Sequence, residues 1–390
     1  MKIQNKAYYR VAGGLKTARY VSLLFLTVFL FCMYFIYSSE MTIDHFKYLL
    51  RNLEFNPNTV FSVGETVYVD SDNNNSFSGY KGGIAVLGSS KISLYDMTSS
   101  ATLSEYHGYK SPAFEVSDKY MLVYDRGGSG FSVYGAFNKL ESLETPSPVY
   151  IANVSDEGTY AVVCSSAEDE FYSNVYVYNS NFALVNKIMK YKYVTAIDLS
   201  ENGKRLLISS VYIGENGDLK SEVTVMSVGS ERVSDTLVVD GGVVYACSFF
   251  DDGSFFLLTD DALRFYNKKG EYKKSVAHEL KMSFFAVSGR GVSLVYEDTG
   301  DQNKLISYDK SGEKTSSALF KGRVLDLIAD EYTAYALTEN EVIAATLSGG
   351  KTKSIEIPSA IKGAFRPYLI SGANGDVYVC SGGTASRLED

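Results

Sequence analysis

Histidine, the side chain most often used for proton transfer near neutral pH, is scarce in this sequence. The 390 residues include three histidines, His45, His107 and His278, at widely separated positions. Glu279 follows His278, but Met282 stands where a zinc-protease helix requires its second histidine. The histidines therefore indicate no zinc-protease site, and the sequence predicts no catalytic residue.

Two glycine-rich stretches have the composition of phosphate-binding loops. Residues 350–352 read Gly-Lys-Thr, but Ala345 occupies the position that requires the first glycine of such a loop. Residues 127–130 read Gly-Gly-Ser-Gly and lie between two predicted strands, without the helix that a dinucleotide site needs. We therefore predict no bound cofactor.

The remaining candidates for metal or redox chemistry are four cysteines and one acidic loop. The cysteines are Cys32, Cys164, Cys247 and Cys380. The last three lie in strands of different repeats, so we expect free, buried thiols and no disulfide bond. The loop at 70–76 resembles a calcium loop, but Asn75 and Lys81 hold the positions that require glycine and glutamate. We therefore predict no metal site.

The most distinctive turn reads Tyr-Asp-Arg-Gly-Gly-Ser-Gly over residues 124–130. A charged pair followed by glycines would allow a ligand to approach the backbone closely. We therefore predict Asp125 and Arg126 as contacts to a ligand or partner. The competing interpretation is a flexible hairpin with an exposed ion pair that solvent screens.

The first structural element along the sequence is an apolar segment near the N-terminus. Residues 20–39 contain no charge, and a helix needs roughly 20 residues to cross a bilayer. Residues 1–19 carry five basic residues and no acidic one, which predicts a cytoplasmic tail and an extracytoplasmic remainder. A cleaved signal peptide is the alternative, although bulky residues at 34–37 occupy the place of cleavage.

A short helix is predicted after the membrane segment. Apolar residues recur at helical spacing over residues 42–53, within a juxtamembrane segment that we place at 40–58. Either a stalk or a partner-binding helix would fit this pattern. The rest of the chain, residues 59–390, changes to short β runs separated by Gly, Asp, Asn and Ser.

A repeat of about 42 residues runs through this β region. Similar strand segments, many of them ending in Tyr and Asp or Asn, begin at 91, 131, 174, 222, 262, 304, 341 and 384. Each repeat has room for four short strands, which is typical of a β-propeller blade. We therefore predict an all-β fold, a β-propeller of about eight four-stranded blades over residues 59–390, with seven blades as the alternative.

The ends of the repeat region predict how the ring closes. The last repeat is short of one strand, and residues 59–63 read Thr-Val-Phe-Ser-Val, a suitable outer strand. We expect this N-terminal segment to complete the last blade. The tyrosines at strand ends should fill the gaps between blades, because they recur with the repeat; they are Tyr95, Tyr134, Tyr178, Tyr266 and Tyr308.

Charge and composition narrow the functional classes. The net charge is −9, and removing the basic tail leaves −14 for residues 20–390, so we expect no nucleic-acid partner. Lacking a catalytic constellation, the chain is predicted to be a non-catalytic scaffold that binds a protein or glycan of the cell envelope. The alternative is a propeller enzyme, either a hydrolase or an oxidoreductase, or a small-ligand sensor, using the central funnel.

These features resemble two groups of proteins. The repeats are similar to WD40-like and quinoprotein-like propellers, although the chain has no Trp and therefore lacks the WD dipeptide. The basic tail, the single span, the short helix at 45–53 and the turn at 125–128 resemble an uncharacterised family of membrane-anchored propellers from Gram-positive anaerobes, a domain of unknown function. This resemblance implies a single-pass membrane protein and no known activity.

Overall fold

The computed structural model describes residues 6–36, 66–69, 75–95, 101–168, 170–230, 233–239, 242–372 and 375–389. The chain divides into two compact units, residues 1–60 and 61–390. The first unit contributes one long helix to the described residues, and the second contributes all the strands.

Helix α1 covers Lys6–Ile36. Within it, the segment Leu15–Cys32 has a mean hydropathy of 1.6 and is long and apolar enough to cross a membrane. The hydroxyl of Thr27 donates to the Leu23 carbonyl, so that this polar side chain is satisfied within the helix. The juxtamembrane helix predicted over 42–53 lies outside the described residues.

The described residues of the second unit form thirty-two strands. The first half comprises β1 (Thr66–Tyr68), β2 (Ser76–Tyr80), β3 (Gly83–Leu87), β4 (Lys91–Tyr95), β5 (Ala101–Tyr106), β6 (Pro112–Val116), β7 (Met121–Asp125), β8 (Gly130–Tyr134), β9 (Lys139–Glu144), β10 (Val149–Val154), β11 (Tyr160–Ser165), β12 (Ser173–Tyr178), β13 (Leu184–Lys190), β14 (Tyr193–Leu199), β15 (Arg205–Ile213) and β16 (Leu219–Ser227). The second half comprises β17 (Val233–Val239), β18 (Val244–Phe249), β19 (Phe255–Thr259), β20 (Ala262–Tyr266), β21 (Tyr272–Ala277), β22 (Lys281–Ser288), β23 (Gly291–Glu297), β24 (Gln302–Asp309), β25 (Lys314–Lys321), β26 (Val324–Ala329), β27 (Thr333–Thr338), β28 (Glu341–Thr346), β29 (Thr352–Glu356), β30 (Tyr368–Ser371), β31 (Val377–Ser381) and β32 (Thr384–Arg387).

These strands make eight antiparallel sheets of four strands each. Seven sheets are consecutive meanders, beginning with β2–β5 as blade 1 and ending with β26–β29 as blade 7. Blade 8 combines β30, β31 and β32 with β1. The prediction of a four-stranded propeller is therefore confirmed, with eight blades and not seven.

The first strand of each blade lies toward the centre of the ring. First strands contact those of neighbouring blades, for example β10 with β14, β14 with β18 and β22 with β26, and β30 of the last blade contacts β2 of the first. The fourth strands lie outside and alternate between buried and exposed side chains, as in β25. Polar side chains on the first strands therefore face the ring centre or a neighbouring blade.

The repeated segments of the sequence all fall on the third strand of a blade. They correspond to β4, β8, β12, β16, β20, β24, β28 and β32. The turns that follow this strand match in detail in blades 5 and 6. Asn267 Oδ1 accepts the backbone N–H of Glu271 at 3.0 Å, and Asp309 Oδ1 accepts that of Glu313 at 2.9 Å. Gly312 in the second turn has φ of 84°, which favours glycine.

The tyrosines at strand ends pack between blades, as predicted. Tyr178 of blade 3 lies against Phe131 of blade 2 with ring centroids 5.7 Å apart. Tyr266 of blade 5 packs in one cluster with Leu207 of blade 4, and Tyr308 of blade 6 packs in one with Phe256 of blade 5. Four of the five are buried, and Tyr95 is partly exposed. Cys164, Cys247 and Cys380 are buried free thiols, which confirms the prediction made for them.

The ring closes through pairing of its two ends. Strand β1 pairs antiparallel with β32, with Val67 opposite Ala385. Val67 is also packed in a cluster with Phe77, Ile84 and Tyr378. An N-terminal strand thus completes the last blade as predicted, but this strand is Thr66–Tyr68, and the expected residues 59–63 lie outside the described residues.

We predict that Val67→Ala destabilises the ring by about 2 kcal/mol, because it removes buried methyl groups from the closing strand. Tyr68→Ala is the matched control, since Tyr68 is the next residue of the same strand and is 70% exposed, whereas Val67 is 1% exposed. Urea unfolding of the two variants measures the difference. Equal stability of both variants would contradict this role of Val67 in closure.

Candidate functional site

The turn predicted to contact a ligand joins two blades. The Arg126 N–H donates to the Ser111 carbonyl at 2.9 Å, and the Gly127 N–H donates to the carbonyl of Val149 at 2.7 Å. The Val149 N–H donates in return to the Gly128 carbonyl at 2.7 Å. Val149 begins the first strand of blade 3, so the turn of blade 2 is held by its backbone against the neighbouring blade.

Asp125 shapes this turn through its side chain. Its Oδ1 accepts the backbone N–H groups of Lys110 at 3.1 Å and Ser111 at 2.8 Å. A Cβ at Gly128 would lie 2.2 Å from Asp125 Oδ2, so glycine is required for this close approach. The Asp125 carboxylate is thus occupied by the backbone, and its contact with a ligand stays a prediction.

Arg126 is the exposed member of the pair. Its guanidinium lies close to the hydroxyl of Tyr124 and within electrostatic reach of Glu115. Burial raises the pKa of Glu115 to about 7; Arg126 opposes this shift, and Asp198 reinforces it. Arg126 thus reaches from the rim turn toward the polar residues of the first strands.

Those polar residues occupy one level of the ring centre. Glu115, Asn153, Asp198 and Ser248 each stand one residue before the end of the first strand in blades 2, 3, 4 and 5. We call these four residues the polar arc. The sequence analysis missed it, because the four residue types differ and only their shared position in the repeat relates them.

Asp198 is the centre of the polar arc. Its Oδ2 accepts the Phe249 backbone N–H at 2.7 Å and the Ser248 hydroxyl at 3.0 Å. Its Oδ1 accepts the side-chain N–H of Asn153, and Asn153 Oδ1 in turn accepts the Leu199 backbone N–H at 2.9 Å. Each side chain thus ties its own blade to the backbone of the next.

Burial raises the pKa of Asp198 to about 7, although these hydrogen bonds oppose the shift. The carboxyl of Glu115 differs from that of Asp198, because no donor among the described residues is hydrogen-bonded to the Glu115 carboxyl. No group of three or more His, Cys, Asp or Glu side chains among the described residues could hold a metal ion. The arc can therefore offer one carboxyl, that of Glu115, to a ligand.

The histidines of the second unit are engaged in structural contacts. His107 stacks on Tyr109 and its Nε2 lies 3.1 Å from the Gly88 carbonyl oxygen. His278 lies between the Thr259 carbonyl and the Tyr296 hydroxyl. Burial lowers the pKa of both imidazoles, which favours their neutral forms.

Exposed aromatic rings form a second candidate site on the rim. Tyr172 and Tyr193 stack with centroids 4.6 Å apart, and Phe171 lies against Tyr191 at 4.3 Å. We call these four residues the aromatic shelf. Phe171 and Tyr172 lie in the connection between β11 and β12, Tyr191 lies in the one between β13 and β14, and Tyr193 is the first residue of β14. Both connections reach the same face of the ring because alternate strands run in opposite directions. We call this face the loop face; the Arg126 turn, between β7 and β8, lies on it too.

The shelf was not predicted, because its pairs form between segments that are distant in the sequence. The only signal available was the density of tyrosine near 191 and 193. Three of its rings are exposed, namely Tyr172, Tyr191 and Tyr193. Exposed apolar side chains clustered on one face are typical of binding surfaces.

We predict different effects for the two residues of the Asp125–Arg126 pair. Asp125→Ala should destabilise the propeller by about 1–2 kcal/mol, since two backbone N–H groups lose their acceptor. Arg126→Ala should change stability by less than about 0.5 kcal/mol, because the side chain is exposed. Thermal unfolding of both variants tests this, and a larger effect of Arg126→Ala would contradict it.

The raised pKa of Asp198 predicts a pH-dependent stability. Between pH 4 and 7 the folded protein holds a proton that the unfolded chain releases, so this residue's contribution to stability falls as pH rises. Asp198→Asn removes that contribution. The free energy of unfolding of this variant, taken relative to that of the wild type, should therefore rise by roughly 2 kcal/mol from pH 5 to pH 8.

Asp309→Asn is the control for this measurement. Hydrogen bonds from Ser311, Glu313 and Gly312 hold the pKa of Asp309 below its usual range although burial opposes them, so its relative stability should not rise with pH. Urea unfolding at pH 5 and pH 8 measures both variants. If the difference in unfolding free energy between Asp198→Asn and the wild type is the same at pH 5 and pH 8, the raised pKa of Asp198 is refuted.

Comparison with solved structures gives the same fold. BamB from Moraxella catarrhalis matches with a TM-score of 0.52 and 14% sequence identity, over 83% of this chain and 98% of that chain. The Neurospora crassa Pan2 WD40 domain matches with a TM-score of 0.49 and 10% identity, over 71% and 87% of the two chains. At these identities the likeness concerns the fold alone.

Sequence comparison assigns the family. A search of curated proteins gave no match. A family model described as a "Family of unknown function (DUF5711)" matches residues 56–369, which confirms the resemblance to an uncharacterised propeller family. Since the match covers well over half of the sequence, the chain belongs to the DUF5711 family.

Proposed function

We propose that this protein is a membrane-anchored, non-catalytic scaffold that holds a glycan or protein of the cell envelope on the loop face of its propeller. The observation that carries the proposal is the aromatic shelf, where two paired sets of rings stand on that face. Rigid aromatic side chains provide large contact areas at a low entropic cost, and they are enriched in binding surfaces.

The location outside the cytoplasm is supported by helix α1 and its flanking charges. The segment Leu15–Cys32 is an apolar helix of 18 residues, long enough to cross a membrane, and a helix satisfies its own backbone polar groups, as a membrane segment requires. The basic residues precede this segment, and residues 20–390 carry a net charge of −14. The positive-inside bias therefore supports an N-terminus in the cytoplasm and a propeller on the opposite side of the membrane.

Binding is favoured over catalysis by the state of the polar groups at the ring centre. Asp198 uses both carboxylate oxygens to join blades, and Asp326 accepts the Leu369 backbone N–H at 2.7 Å in the same way. A hydrolase or oxidoreductase in the funnel needs several convergent reactive groups, whereas the polar arc, as far as the structure describes it, offers the single unbonded carboxyl of Glu115.

Labelling of intact cells tests location and binding together. Tyr193→Cys places a thiol on the shelf, and Tyr272→Cys is the control, since these tyrosines are 57% and 59% exposed and lie in blades 4 and 5. A membrane-impermeant, thiol-reactive photocrosslinker should label both positions. Irradiation should then give a specific adduct from position 193 only.

Two results would contradict the proposal. Failure to label either cysteine in intact cells, while both react in permeabilised cells, would show that the propeller is not outside. No adduct from position 193, or the same adduct from position 272, would show that the shelf holds no partner. Of the native thiols, Cys164, Cys247 and Cys380 are buried, and the exposed Cys32 of helix α1 is replaced by serine in both variants.

A further inference from the structure

A half-buried ion cluster lies beside the aromatic shelf, where blades 3 and 4 meet; we call this place, lined by Lys190, Lys192 and Glu222, the charged crevice. Lys190, at the end of β13, lies 3.5 Å from Glu222 Oε1 across the gap. Lys192, in the connection between the two blades, pairs with the other oxygen of the same carboxylate. Two ammonium groups therefore share one carboxylate, and the crevice carries a surplus positive charge within an acidic chain.

The crevice is partly dehydrated, which strengthens charge interactions within it. Lys190 also donates to the Thr224 hydroxyl at 2.6 Å, and its side chain is 13% exposed. Burial lowers the pKa of Lys190, and the neighbouring Lys192 adds to this effect. A second anion in the crevice would stabilise the charged form of Lys190.

One buried hydroxyl in the crevice has no partner. Ser210 is 0% exposed, and its Oγ makes no hydrogen bond. Ser210 and Glu222 are cross-strand partners in β15 and β16, so their side chains leave the sheet on the same face, toward blade 3. A buried hydroxyl without a partner is destabilising, and a ligand oxygen that accepts its proton would remove this cost.

Aromatic rings lie next to these charged side chains. Tyr193 stacks on Tyr172, and the ammonium group of Lys192 lies 4.0 Å from the centre of the Tyr212 ring. A sugar ring has an apolar C–H face and a polar edge, and tyrosine offers a matching apolar face with a hydroxyl at its edge. The shelf and the crevice together suit a sugar that carries a negative charge.

We propose that the crevice between blades 3 and 4 binds an anionic sugar, with its carboxylate or phosphate between Lys190 and Lys192 and its ring on Tyr193. The proposal rests on the proposed function, and it names a glycan as the partner class. A glycan is favoured over a protein because the surplus ammonium charge, the unpartnered Ser210 hydroxyl and the flat rings meet at one place. Glu222 is the internal anion with which the ligand competes.

Calorimetric titration of the full chain in detergent micelles tests the assignment. The probes are glucuronic acid and N-acetylglucosamine 6-phosphate as charged sugars, with glucose, N-acetylglucosamine and inorganic phosphate as controls. We expect at least one charged sugar to bind ten times or more tighter than its uncharged counterpart and than inorganic phosphate. Which of the two binds better distinguishes a carboxylate from a phosphate.

A gain of affinity separates ligand binding from a purely structural ion pair. Glu222→Gln removes the competing anion and should tighten binding of the charged sugar about tenfold, whereas Lys192→Gln should weaken it at least tenfold. The matched control is Glu297→Gln, which removes the acidic partner of Lys281 in the surface ion pair of blade 6 and should change nothing.

Several results would overturn the assignment. These are equal affinity for charged and uncharged sugars, no binding of any probe, binding of inorganic phosphate as tight as that of the sugars, or unchanged affinity in Glu222→Gln. A protein crosslinked at position 193, together with no binding of charged sugars, would preserve the proposed function and reject the glycan. Failure of the crosslinking alone would reject the proposed function.

Discussion

A blade of this ring can bury its two apolar faces only against the blades on either side. In blade 2, Leu122 and Tyr124 pack against Tyr160 and Val162 of blade 3 in one continuous cluster. The same arrangement recurs around the ring, and it makes the last interface as necessary as any other. Pairing of β1 with β32 provides the fourth strand of blade 8, so an element at the periphery holds the whole ring together.

The second requirement concerns polar backbone groups at the ring centre, where first strands run side by side. Asn153, Asp198 and Asp326 each accept a backbone N–H from the following blade. These polar side chains are therefore committed to joining blades, as buried backbone donors demand. The aromatic shelf and the charged crevice lie away from the ring centre, near the connections on the loop face.

The blade period could be predicted from the sequence because the same side-chain hydrogen bonds recur in corresponding turns. The turns that begin at Asn267 and Asp309 use the same side-chain oxygen to accept the same backbone groups, so their residue types recur and reveal the blade period. The three residues of β1 carry too little pattern to be recognised, and the sequence pointed instead to the longer run at 59–63.

The candidate sites depend on contacts between residues that are far apart in the sequence. Asp198 and its partner Phe249 stand in different blades, 51 positions apart, and Lys190 meets Glu222 across a gap between blades. Neither pairing follows from the residues near it in the sequence. The same holds for the raised pKa of Asp198, which arises from burial by neighbouring blades.

The position of β1 in the sequence also determines how long this strand stays unpaired during biosynthesis. This strand is made before every other strand, and its partner β32 is made after all of them, about 300 residues later. At roughly 5–20 residues per second, the ribosome needs about 15 to 60 s to deliver β32. For that time the strand remains an unpaired edge able to pair with another nascent chain, so its length of three residues limits a hazard that a longer strand would increase.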